Sequence, residues 1–374
     1  SVHADLALAF LRESMALRDD LRVLVMSATI DAGRVSGFLE AEVMEIPGRS
    51  WPVEIEYLPP APVRNGRNTH ISEQCARAVR MELGKPGGDI LVFLPGIGEI
   101  RRAEGLLEGL DAEILVLHSS IPFDLQKRVL AGGGARRRVI LSSSIAETSL
   151  TVPGVTTVID SGLSRTGRYD IPTGMYTLVT GTESVFSASQ RAGRAGRTAP
   201  GRCVRLWAEH DVRLSETPPE LQRTDTVQVV LECALWGVVD IDGMSWLDPP
   251  NRGAWETARE LLVGMEALDA DGRVTPRGRL ISALGVHPRI AAVALTGDIA
   301  CAGEHAHIAG GPGESEKLRR DIARRIKTLS TGDDGRSSRI SSKPPASACR
   351  GASLLAGFPD RIAAHRGEGM YQFP

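Results

Sequence analysis

The apolar positions of this chain change texture twice along its length. From Val53 to about Val212, short apolar runs alternate with longer stretches of mixed polarity. Ile90–Leu94, Ile114–Leu117, Arg138–Leu141, Val155–Asp160 and Cys203–Trp207 are compact and rich in β-branched or aliphatic side chains, which predicts buried strands. The stretches from Pro95-Gly96 to about Leu110, Leu125–Leu130 and the segment around Gln190 have helical spacing. Strands alternating with helices predict a parallel sheet covered on both faces, an α/β fold. Upstream, Ala4–Leu11 is helix-like, and Leu21–Met26 predicts a short buried strand running into Ser27-Ala28-Thr29. Ligands of such sheets sit outside the carboxyl ends of the strands. Ser27, Pro95, His118 and Ser142 each follow a strand, so they are expected to share one edge.

Beyond Val212 the pattern becomes helical, with Val227–Leu235, Trp255–Leu268 and Arg277–Ala283 as predicted helices. Glu266 to Gly278 reads as a helix end, a tight turn and a short strand, which suits a small helical or winged-helix module. From Gly303 to Ser353 the chain is rich in Gly, Ser, Pro and Arg, and is expected to be loose apart from a helix at Ser315–Leu329.

The 374 residues suffice for two or three domains. A net charge of -2 gives no global basic signature, and aromatics at 4% argue against a surface built mainly on base stacking. The five cysteines form no Cys-x-x-Cys pair, which fits a reducing, cytoplasmic setting without disulfides or a zinc site. His305 and His307 read as solvated loop residues. No apolar run is long enough to span a bilayer, so no membrane role is expected.

Candidate chemistry concentrates in Gln190-Arg-Ala-Gly-Arg-Ala-Gly-Arg197. Arg191, Arg194 and Arg197 recur every three residues, which on a helix keeps them roughly on one face with Gln190. Three forked guanidiniums facing one way suit a polyphosphate. The small residues between them allow close approach to another surface. Ser142 to Ser149, between two strands, offers five hydroxyls and free backbone N–H groups, a natural phosphate cradle. A polar N-cap turn explains that segment equally well. Asp160-Ser-Gly-Leu with Arg165 and Arg168 reads as a charged loop.

Taken in order, Ser-Ala-Thr (27–29), Phe-Leu-Pro-Gly-x-x-Glu-Ile (93–100), Leu-His-Ser-Ser (117–120), Ile-Ala-Glu-Thr-Ser-Leu-Thr (145–151), Val-Ile-Asp-Ser-Gly-Leu (158–163) and the octapeptide resemble the DEAH/RHA helicases of superfamily 2. The likeness is strongest to the bacterial HrpB type. His-Pro-Arg at 287–289 and Phe358-Pro-Asp-Arg are similar to the same group. The resemblance implies the end of one RecA-like, P-loop NTPase-type domain (1–48), a second RecA-like domain (49–212), a winged helix (213–285) and a partial, degenerate helical bundle (286–374). It implies ATP-driven translocation on nucleic acid, RNA with DNA left open, through phosphate-backbone contacts.

It also implies roles for individual residues. Arg194 and Arg197 would be arginine fingers, with Gln190, Ser149 and Thr151 on the nucleotide. Ser27, Ala28 and Thr29 would couple hydrolysis to strand movement and face those fingers. Ser143, Thr148 and Arg165 would contact the nucleic acid. The chain departs from the family at Ser142-Ser-Ser144, where Ala-Thr-Asn is usual, and at Pro153, often acidic. None of its five lysines ends a Gly-x-x-x-x-Gly-Lys loop, and it has no Asp-Glu-x-His. The phosphate lysine and Mg2+ ligands are therefore expected upstream of Ser1. The competing expectation is a non-catalytic nucleic-acid- or partner-binding remnant. Oligomeric state is not legible.

Overall fold

In the computed structural model, the described residues are 1–27, 31–46, 51–60, 69–134, 136–148, 150–170, 175–304, 315–331, 350–360, 364–367 and 370–372. They fall into two compact units. One comprises Ser1–Val43, Gly167–Thr177 and Pro219–Pro374; the other comprises Met44–Thr166 and Leu178–Pro218.

Numbered along the chain, α1 (Val2–Leu17) and α2 (Ala32–Leu39) open the first unit. Next come β1 (Val53–Tyr57), α3 (Ile71–Leu83), β2 (Asp89–Phe93), α4 (Ile97–Leu106), β3 (Glu113–Leu117) and α5 (Phe123–Ala131). β4 (Arg138–Ser142), α6 (Ile145–Thr148), β5 (Val155–Asp160), β6 (Leu163–Asp170), β7 (Met175–Thr182), α7 (Val185–Ala192) and β8 (Gly201–Arg205) follow.

Six of these strands form one parallel sheet in the order β1-β8-β5-β2-β4-β3, which bears out the α/β expectation. The runs that predicted strands are continuous because parallel strands are buried on both faces. Along β2, Ile90 and Val92 pack toward α3 and α4, while Leu91 and Phe93 pack toward the other face with Val129, Ala192 and Cys203. The carboxyl ends are in register. Leu117, Ser142, Phe93, Asp160, Arg205 and Tyr57 form one row across the sheet. Ser142, at the end of β4, and Pro95 and His118, just beyond β2 and β3, therefore do share one edge of the sheet, whereas Ser27, expected with them, follows no strand.

Two expectations fail here. Leu21–Met26 is not a strand, and Leu24 and Met26 are exposed. No strand among the described residues offers it a ladder; its backbone bonding is local, with Leu21 N–H donating to the Arg18 carbonyl at 3.1 Å. The segment with Arg165 and Arg168 is not a charged loop but β6, paired with β7 in a separate two-stranded sheet. Its half-exposed positions carry no apolar alternation, so periodicity could not reveal it.

The first unit continues with α8 (Val227–Trp236), α9 (Arg252–Gly264), α10 (Pro276–Ala283), α11 (Pro288–Ala294), α12 (Ile299–Glu304), α13 (Ser315–Thr331) and α14 (Arg350–Gly357). A short pair, β9 (Ala364–Gly367) and β10 (Met370–Gln372), closes it. α11 is buried along its whole length and shares a core with Val230, Trp255, Leu262, Ile281, Ile322 and Phe358. Leu6 and Ala9 of α1 join that core, and Phe10 stacks on Trp236 at 4.6 Å. α9 ends at Gly264, earlier than predicted. The tight turn after it is as read: Leu268 bridges Val274, and Gly272 takes a positive φ of 81°.

Arg289 on α11 is buried against Asp360 through two guanidinium nitrogens at 2.5 and 2.7 Å. His287 caps the same helix through Nδ1 and sets Nε2 at 3.3 Å from Asp225. His305, His307 and most of 303–353 lie outside the described residues.

Candidate functional site

The site lies in the sheet unit, where α6 and the residues after α7 meet the carboxyl ends of β4 and β5. Ser184 caps α7, its Oγ accepting from Ser187 N at 3.2 Å. The helix stops at Ala192. Beyond it, the N–H groups of Arg194, Ala195 and Gly196 donate three residues back, to Arg191, Ala192 and Gly193 carbonyls at 3.1, 3.0 and 3.3 Å. The octapeptide is thus the end of a helix plus a tighter turn. Close approach explains one of its glycines: a Cβ on Gly196 would come within 2.5 Å of the Trp51 carbonyl.

The three arginines do not face one way, contrary to the periodicity argument. Arg191 turns into the sheet and is 1% exposed. Its Nη1 donates to Asp160 Oδ1 at 2.9 Å and to the Leu163 carbonyl at 3.1 Å, and lies against Glu183 Oε2. Its Nε donates to Glu147 Oε2 at 3.1 Å, and its guanidinium sits 5.0 Å from the centre of the Phe93 ring. Three carboxylates around one cation leave excess negative charge. The Glu183 and Asp160 carboxyls lie against each other, both buried, with Glu183 Oε2 also facing Arg191. Burial, with Asp160 beside it, pushes the Glu183 carboxyl up to about 10, so it holds a proton at neutral pH. Sequence reading missed this cage because its members are distant along the chain and Glu183 stands in no motif.

Arg194 and Arg197 go elsewhere. Arg194 donates to the carbonyls of Leu150, at 2.9 Å, and Glu147. Arg197, exposed, donates to Thr151 Oγ1. Neither makes an ion pair among the described residues. Burial, and then the charge of Arg197, pull Arg194 down to about 10. Two neighbouring guanidiniums therefore meet only neutral oxygens. Gln190 is half-buried on the last turn of α7.

The cradle segment is built from the end of β4. Ser142 Oγ is buried and donates to the Leu117 carbonyl at 3.1 Å, which ties the two loops together. The carbonyls of Ser143 and Ser144 accept from Ala146 and Glu147 N–H groups, which starts α6; Ser143 is half-buried. Thr148 belongs to α6, but its side chain, like the whole of Ser149, Ala28 and Thr29, lies outside the described residues. Ser27 is exposed at the end of an irregular stretch in the other unit.

Arg165 on β6 reaches Thr180 Oγ1 at 3.3 Å and Glu99 Oε1 at 3.4 Å. Its Nη1 fills the space that a Cβ on Gly96 would occupy, 2.7 Å away. The Pro95-Gly96-x-x-Glu99 segment and Arg165 are thereby one structure. His118 faces the same region. Burial, then Arg101 and Arg165, hold its imidazole below the usual range.

The sequence matches the Helicase conserved C-terminal domain over residues 73–199, which includes α6, the octapeptide, Arg165 and His118. It matches the winged-helix Helicase associated domain (HA2) over residues 258–286. It is 36% identical to the ATP-dependent RNA helicase HrpB of Escherichia coli (strain K12) over 402 residues, covering 100% of this chain and 47% of that protein. The chain belongs to the DEAH/RHA helicases. A second DEAH/RHA relative, the pre-mRNA-splicing factor ATP-dependent RNA helicase prp22 of Schizosaccharomyces pombe, is 33% identical over 81% of this chain and 27% of its own length. The crystal structure of the E. coli DExH-box NTPase HrpB superposes with a TM-score of 0.82 at 32% identity, covering 100% of this chain and 48% of that one. The chain thus spans about half the length of the HrpB proteins it matches.

Among the described residues no group of three or more His, Cys, Asp or Glu side chains could hold a metal ion. Among the described residues no helix is long and apolar enough to cross a membrane.

Proposed function

We propose that this chain supplies the arginine-finger half of the ATP site, and part of the nucleic-acid track, of an ATP-dependent RNA helicase. One observation carries the reading. Arg194 and Arg197 lie close enough to repel, and their recorded bonds go only to neutral oxygens. Glu147, already paired with Arg191, is the one carboxylate among the described residues that acts on Arg194; a polyphosphate supplies further counter-charge, and charge-assisted hydrogen bonds are the strong ones. Gln190, Thr151 and Ser149 complete the nucleotide-facing set. Arg194 is braced by two carbonyls, so it reaches the ligand pre-oriented, whereas Arg197 swings from an exposed position. Fingers of this kind stabilise charge on a transferred phosphoryl group.

Ser143, Thr148 and Arg165 take RNA phosphates along the carboxyl edge of the sheet, and DNA is the weaker candidate. Ser27, Ala28 and Thr29 couple the two events. On this reading 1–48 ends a first RecA-like domain, 49–212 is the second, 213–285 is the winged helix and 286–374 part of a helical bundle, in a cytoplasmic protein. Mg2+ would be held by residues outside those described.

Binding of a fluorescent ATP analogue tests the nucleotide half. Arg194→Ala and Arg197→Ala should each weaken it about 10-fold or more, the value of a hydrogen bond to a charged group. Unchanged binding in both variants refutes the assignment. The isolated chain should show no RNA-stimulated ATP turnover. Its RNA binding should be weak, without sequence preference, and fall with salt at a log–log slope shallower than about -3. Salt-insensitive binding to one sequence would favour the second reading, a non-catalytic binding module.

A further inference from the structure

α5 starts where the chain leaves the carboxyl end of β3, and its first residue, Phe123, is 67% exposed. That position adjoins the cradle. Leu117 is in register with Ser142, and Ser142 Oγ bonds the Leu117 carbonyl. The loop between β3 and α5 is held firmly: Gln126 Nε2 donates to the carbonyls of Ile121 at 2.7 Å and His118 at 3.3 Å. One helical turn along, Lys127 Nζ lies 4.7 Å from the centre of the Phe123 ring. The ring thus follows a braced loop, open to solvent and accompanied by an ammonium group. Two interstrand steps, about 10 Å, separate the end of β2, where Arg165 rests on Gly96, from the end of β3.

We propose that Phe123 is a stacking platform for one base of a single-stranded nucleic acid whose phosphates run past Arg165 and Ser143. The proposal rests on the nucleic-acid reading above. Aromatic faces receive any base, and a neighbouring cation can follow the phosphate of the stacked nucleotide. Its place at the start of α5, after the edge strand β3, puts it at one end of the track.

Fluorescence anisotropy at low salt, with a labelled oligouridylate and an abasic oligomer of equal length, tests it on the full chain. Phe123→Ala should weaken oligouridylate binding about 5- to 10-fold and leave the abasic oligomer unchanged. Phe123→Tyr should restore binding to within about two-fold of the unsubstituted chain. The side chain is exposed, and circular dichroism will verify that both variants fold. Equal losses on the two oligomers overturn the proposal. So does undiminished oligouridylate binding by Phe123→Ala, which would leave the Phe123 and Leu125 surface to a protein partner. If the unsubstituted chain binds neither oligomer, the nucleic-acid reading itself falls and takes this one with it.

Discussion

Replacing Arg191 by Met should unfold the sheet unit far more readily than any loss of ligand contact would suggest. The guanidinium is 1% exposed and stands among Asp160, Glu147 and Glu183. Methionine fills much of the volume but leaves the carboxylates without their cation. Removing one partner of a buried ion pair typically costs about 3–5 kcal/mol, because the other charge stays buried and uncompensated. That is a large share of the roughly 5–15 kcal/mol that holds a domain together. For a unit of this size the melting transition should drop by on the order of 10 °C. Urea denaturation of the unit, followed at several pH values, measures it. The loss should shrink toward acid pH, where orphaned carboxylates can take up protons. A loss below about 1 kcal/mol, or one independent of pH, would refute the cage as an electrostatic unit.

Three further outcomes are expected. Glu183 is raised in the folded state, so its contribution is fully present below its ordinary range and is lost as pH climbs toward about 10; Glu183→Gln should remove that alkaline loss, seen as a flatter stability curve between neutral pH and pH 10. Asp225 is pushed up by burial, but His287 and the Val227 N–H outweigh this and hold it below the ordinary carboxylate range; its stabilisation is present above that range and lost as pH falls, so His287→Ala should shift acid unfolding of the helical unit to higher pH. Gly96→Ala meets the far end of the Arg165 side chain and, at 3.3 Å, Glu99 Oε2, with no backbone among its near contacts; thermal melts should change little, while RNA binding should fall to the level of Arg165→Ala, and unchanged binding would remove Arg165 from the track.

Much of this fold was legible because burial writes itself into parallel strands. Ile90–Leu94 and Arg138–Leu141 needed no context to be read. The same logic failed for Leu21–Met26, whose apolar run has no ladder among the described residues, and for β6, whose side chains are only half covered. At the site, spacing located the arginines but could not divide their work. What separates Arg191 from Arg194 is the company of Asp160, Glu183 and Glu147, brought together only by the sheet and by α6. Arg165 was named through resemblance; its seat on Gly96 had no sequence signal beyond a glycine after a strand.

The octapeptide's three-residue beat therefore conceals unequal tolerances. Gly196 is held by backbone approach to Trp51, whereas a Cβ on Gly193 would make only ordinary contacts. Arg191 answers to folding, Arg194 to the shape of a neighbouring loop, and Arg197 to whatever arrives from solvent. A saturation library over these eight positions, sorted once for cellular abundance and once for ligand capture, would split a motif that reads as one word into three. Variants at Gly196 and Arg191 would vanish from the first sort, and those at Arg197 only from the second.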